Sequence, residues 1–126
     1  MWNVLKLEQL DNFTIAADMK MANLLCGISS HSSTHPCIYC DWSKSDPRGS
    51  VKSRTFEEIR TLSQEWKNQG QAPSRLKTFK NCQNFPIVKS KENIMKIFPI
   101  PELHCLIGIV NRLYDNLLKV FPEAVK

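Results

Sequence analysis

The sequence predicts a mostly α-helical chain with one short β element. Three observations carry that expectation. Residues 55–69 and 101–120 place their apolar side chains at helical intervals. One short run keeps a period of two instead, with Phe13, Ile15 and Ala17 alternating with Asn12, Thr14 and Ala16. The stretches between these are rich in Ser, Pro and Lys, and no period survives in them.

Taken in order, the strand-like run ends at Asp18, where the rhythm changes. Met19, Ala22, Asn23 and Cys26 lie at helical spacing among good helix formers, and Gly27 offers a stop, so a helix is expected near 18–28. Residues 29–53 read as loop. Thr55-Phe-Glu-Glu58 has the form of a capping box, with Thr55 as N-cap and Glu58 reaching back to it. Phe56, Ile59, Leu62 and Trp66 then share one face of a helix that Gly70 closes. Pro73, Pro86, Pro99 and Pro101 punctuate the next segment, which reads as irregular with one short helix near residues 92–97. After Pro101, Glu102 suits a first helical turn, and Leu103, Leu106, Ile107, Val110, Leu113, Tyr114, Leu117 and Phe121 form a continuous stripe up to Pro122.

A chain of 126 residues, 42% of them hydrophobic, supports a single domain or a fragment of a larger one. It contains no run of eighteen apolar residues, and the opening MWNVLKLEQL lacks the plan of a signal peptide. The expectation is a soluble protein of the nucleus or cytoplasm, neither secreted nor in contact with a membrane. Five cysteines, an odd number, argue against a disulfide scaffold and for free thiols or metal ligation. The net charge of +5 has its basic residues concentrated between Lys44 and Lys96. That balance suits a polyanion such as DNA, with Lys44, Arg48, Lys52 and Arg54 as candidate contacts, but proteins that bind no nucleic acid share it.

The densest chemistry lies in HSSTHPCIYCDW, residues 31–42, where Cys37 and Cys40 form a C-x-x-C pair. One such pair supplies half of a tetrahedral zinc site. The other ligands would come from His31, His35, Cys82, His104 or Cys105. A redox dithiol and two cysteines packed as small hydrophobes are the alternatives. Asp18 reads either as a helix N-cap or as a carboxylate that holds a divalent metal at the end of a strand. His104, Gly108, Asn111 and Asp115 make a second line on the last helix, and a glycine within a helix suggests a close backbone contact there. His104 and Cys105 as base and nucleophile are disfavoured, because adjacent helical residues diverge by about 100°.

In order, the pieces are IAADMKMANLLCGISSHSSTHPCIYCDW, a basic helical middle, and FPIPELHCLIGIVNRLYDNLLKVF. This order resembles the centre of the catalytic core of cut-and-paste DDE/D transposases, particularly the Transib-like group and the V(D)J recombinase subunit derived from it. In that family a strand ends on the second catalytic Asp, a helix follows, and a C-x-x-C comes some twenty residues later. A helical insertion then leads to a segment like LHCxIG. Here Cys37 stands nineteen positions after Asp18, and ELHCLIG occupies residues 102–108.

The resemblance implies a partial ribonuclease-H-like core. Residues 1–30 would be its strand–helix piece, 31–54 the C-x-x-C loop and 55–126 the helical insertion. It matches Asp18 to the second metal-binding acid, Cys37 and Cys40 to two structural zinc ligands, and His104 to the contact helix. Cys82 and His104 are the residues in this chain that would fold back to extend the zinc site. Two-metal phosphoryl transfer with Mg2+ or Mn2+ needs three clustered carboxylates, of which Asp18 is the only one matched here. The expectation is therefore a transposase-derived segment, catalytically incomplete, that in an intact relative would support DNA cleavage and strand transfer. The competing expectation is a small zinc- or partner-binding module with a basic surface, acting through a protein partner or as a homodimer.

Overall fold

A computed structural model describes residues 13–121, apart from the side chains of Leu103 and His104. Among the described residues the chain is mostly helical. Helix α1 spans Met19–Cys26, α2 Phe56–Asn68, a 3-10 helix Pro73–Phe79, α3 Ile94–Ile97 and α4 Glu102–Val120.

The expected strand is an extended segment instead. Phe13, Ile15 and Ala17 are half-buried while Thr14, Ala16 and Asp18 are exposed, as a period of two requires. Among the described residues, however, its backbone makes one bond, from Ile15 N–H to Ile97 O at 2.6 Å, because the described segment beside it is the end of α3 and not another extended chain. Elsewhere among the described residues the pairing is limited to isolated bridges, Ile28 with Cys82, Cys40 with Ser53 and Ser43 with Asp46.

Helix α1 begins and ends where local chemistry dictates. Asp18 Oδ1 accepts from Met21 N–H at 2.7 Å, satisfying one orphan donor of the first turn. At the other end Gly27 turns left-handed (φ +76°), Gly27 N–H donates to Leu24 O and Ile28 N–H to Asn23 O, a complete Schellman closure. Since Asp18 is exposed, its replacement tests the cap alone: Asp18→Ala should lower stability by about 1 kcal/mol, read as a shift in the urea midpoint with an unchanged slope.

Helix α2 buries Phe56, Ile59, Ser63 and Trp66 at intervals of three and four. Thr55 Oγ1 accepts from Glu58 N–H at 3.1 Å, but Glu58 does not complete the capping box. Its carboxylate is drawn to Lys80 Nζ at 2.9 Å, a cation that local sequence does not reveal. Gly70 (φ +85°) and Gln71 (φ +56) then reverse the chain, held by Trp66 Nε1–H donating to Ala72 O.

The 3-10 helix was not expected, for it buries Phe79 alone and so leaves no apolar period to read. It ends in two left-handed residues, Lys80 and Asn81. The short α3 falls where expected, capped by Asn93, whose side chain accepts from Met95 N–H.

The core gathers Ala22 and Cys26 of α1, Phe56 and Ile59 of α2, and Ile94 and Ile97 of α3 around loop residues Ile28, Ile38, Cys82, Val88 and Phe98. The rings of Phe56 and Phe98 meet at 6.3 Å, tilted by 53°. Five of these eleven residues come from loops. That is why the C-x-x-C segment, though aperiodic, is held tightly through fully buried Ile38.

Helix α4 behaves differently. Its apolar stripe forms as the sequence predicts, yet every described side chain on it is at least 48% exposed. Gly108 has nothing within 4 Å of where a Cβ would stand, so the close contact expected there is absent and the line through Asn111 and Asp115 faces open space. No helix among the described residues is long and apolar enough to cross a membrane.

Candidate metal half-site

The turn that carries Cys37 and Cys40 is fixed by two buried asparagines. Asn23, on α1, donates from Nδ2 to Pro36 O at 3.1 Å and to Ser29 O at 3.3 Å. Asn81, at the end of the 3-10 helix, accepts through Oδ1 from His35 N–H at 2.9 Å and lies 3.1 Å from His35 Nδ1. Since an amide oxygen can only accept, Nδ1 is the donor in this contact. Tyr39 O–H donates to Phe98 O at 2.9 Å, and burial raises the phenol above its usual range, keeping it a donor.

The two thiols lie near each other, and both are half-buried. Tyr39 N–H donates to Cys37 Sγ at 3.4 Å, which fixes the position of that sulfur on the turn. Burial pushes the Cys40 thiol up, Trp42 N–H opposes this, and the neighbouring Cys37 adds to it. A redox dithiol needs the reverse, a thiol depressed by a helix N-terminus, and no helix begins between Cys40 and Phe56. A metal ion would supply the missing positive charge and displace both protons.

Among the described residues, the structure does not gather the other expected ligands with this pair into a metal-holding group. Cys82 is fully buried, where its sulfur accepts from Arg54 Nη1–H at 3.1 Å, and burial pushes its thiol to about 11 against the pull of Arg54. Cys26 is buried likewise and pushed to about 12. Both pack as small hydrophobes, the role offered as one alternative for the C-x-x-C pair. Cys105 and His31 are exposed. The side chain of His104 lies outside the described residues. Among the described residues, no three His, Cys, Asp or Glu side chains form a group that could hold a metal. Asp18 stands apart from the cysteines as the cap of α1, with Oδ1 engaged.

Arg54 departs furthest from expectation. Set among the candidate DNA contacts, it is 3% exposed and turned inward. Its Nε donates to Cys40 O at 2.8 Å, Nη2 to Lys80 O at 2.9 Å and His35 O at 3.4 Å, and Nη1 to Cys82 Sγ. The guanidinium thus ties both ends of the cysteine loop to the residues after the 3-10 helix. Beside it Lys80 Nζ bridges Asp41 and Glu58, each at 2.9 Å. Burial alone would raise the Asp41 carboxyl, but Lys52 N–H at 2.7 Å and Lys80 outweigh it and hold the group below its usual range. Lys44, Arg48 and Lys52 do remain exposed on the loop that follows the cysteines. Sequence reasoning missed Asn23, Asn81 and Lys80, which local pattern presents as ordinary polar residues. It also missed the exposed Phe85, over which Arg60 and Lys67 stack at 5.3 and 4.4 Å.

No protein-family model, curated protein or solved structure matches the chain.

Proposed function

We propose that the chain is a transposase-derived core segment, catalytically incomplete, in which the Cys37–Cys40 turn is half of a structural zinc site. In an intact relative this segment would support metal-dependent cleavage and transfer of DNA strands in the nucleus. The observation that supports this reading is physical coupling between the pieces whose order carries the resemblance. Asp18 opens α1, Asn23 of α1 holds Pro36, and Pro36 leads directly into the turn with its adjacent thiols. One face of the Asp18 carboxylate caps the helix through Oδ1, which leaves Oδ2 for Mg2+ or Mn2+ once further carboxylates complete a two-metal centre.

Zinc at Cys37 and Cys40 would bind as a dithiolate, the amide of Tyr39 supporting one sulfur and Arg54 fixing the carbonyl beside the other. The sequence offers His31, His35, His104 and Cys105 as further donors. Cobalt(II) titration tests the pair directly. The purified chain should develop a thiolate-to-cobalt charge-transfer band that Zn2+ displaces. The band should vanish in Cys37→Ser and Cys40→Ser and persist in Cys82→Ser, whose sulfur faces Arg54. No band, or a band indifferent to Cys37, overturns the zinc reading.

A second reading is an interaction module without catalytic activity, and the exposed apolar face of α4 favours it. The two diverge in DNA binding. Contacts from Lys44, Arg48 and Lys52 would release counterions, so affinity for duplex DNA would fall steeply as salt rises. Absence of binding at low salt would favour the module.

A further inference from the structure

We infer that the apolar face of α4 is a homodimer contact, with α4 of one chain laid along α4 of a second copy. The inference stands apart from the zinc reading, for it uses none of the cysteine turn. The motivating fact is quantity. Nine apolar residues between Leu106 and Phe121 are 48–67% exposed. Together they leave on the order of 1000 Å² of apolar surface in water, beyond what a monomer ordinarily exposes in one patch and comparable to the roughly 800 Å² that each partner buries in a stable complex.

Spacing and charge select the occupant. Leu106, Val110, Leu113, Leu117 and Val120 recur at alternating intervals of four and three, the seam by which one helix packs along another. The flanking positions on either side of this seam are Ile107, Ile109, Tyr114 and Asn116, none of them charged. Arg112, Asp115 and Lys119 fall on the opposite side. An uncharged seam offers no ion-pair code for a foreign helix, and it sets no like charges against each other when a net-positive chain meets its own copy. Length argues the same way. The nineteen residues of α4 span about 28 Å at 1.5 Å per residue, and a copy of the same helix matches that length end to end. A second α4 covers the whole face.

Sedimentation equilibrium of the full chain tests this. At about 50 μM the mass should be twice 14.5 kDa, falling toward the single-chain value on dilution. Leu113→Asp should raise the dissociation constant at least tenfold, roughly the effect of a charge at the centre of a packed seam. Lys119→Glu, on the far side, should leave it within about twofold. Because α4 lends nothing to the described core, both variants should keep the far-UV signal and urea midpoint of the parent at concentrations where all are monomeric. A chain that stays monomeric at about 100 μM overturns the inference. So does a Leu113→Asp variant that folds and dimerises like the parent, or a Lys119→Glu variant that disrupts the dimer equally.

Discussion

Arg54→Met should cost about 3–5 kcal/mol of folding stability, the largest effect expected of any single charged residue in this chain. The guanidinium is buried, and its direct partners are carbonyls and a thiol rather than a carboxylate. Removing it leaves Cys40 O and Lys80 O inside the protein without their donors. Each such orphan costs about 1–3 kcal/mol, and the apolar methionine recovers part of this by filling space. Lysine is no remedy. Its ammonium is a point charge, whereas the bonds of Arg54 leave in three directions from a planar fork, so Arg54→Lys should still lose about 2 kcal/mol. Urea unfolding followed by tryptophan fluorescence measures both. The outcome also decides what Arg54 is for: a residue that only contacted phosphate would change DNA affinity and leave the urea midpoint where it was.

Gly27→Ala should cost about 3 kcal/mol or more, and the reason is backbone geometry. A Cβ at this position would stand 2.0 Å from Asn84 O and 2.6 Å from Asn84 C, with a left-handed φ of +76° besides. Asn84 cannot retreat easily, because its own N–H and that of Gln83 both donate to Gly27 O, at 3.0 and 2.8 Å, and Ile87 N–H donates to Leu25 O. Gly70 provides the control. Its φ is +85° but nothing lies within 4 Å, so Gly70→Ala should pay for the left-handed backbone alone, about 1 kcal/mol. The difference between the two urea midpoints isolates the cost of the collision. Equal losses would mean that the Asn84 segment yields.

The helices were legible because their signals are local. Asp18 and Thr55 cap, Gly27 and Gly70 turn the chain, and the apolar residues of α2 and α4 repeat at helical intervals. The extended run from Phe13 to Ala17 was half legible. Which side chains turn inward follows from alternation, but whether the segment joins a ladder depends on a neighbour that no local pattern names. The same holds for Glu58, taken from its capping box by Lys80, which is twenty-two positions away in sequence.

The candidate site divides along that line. Spacing alone brings Cys37 and Cys40 together, since three residues of a turn place both thiols on one side, and amphipathic period alone makes α4 half apolar. Tertiary packing decided the rest. Cys82, equal to the other cysteines on paper, is enclosed against Arg54, and Arg54, equal to Lys52 on paper, is drawn inward by carbonyls from residues 35, 40 and 80. Short-range bonding and periodicity are properties of neighbouring residues and can be read along the chain. Burial, and with it the difference between a surface cation and a structural one, exists only once distant segments have met.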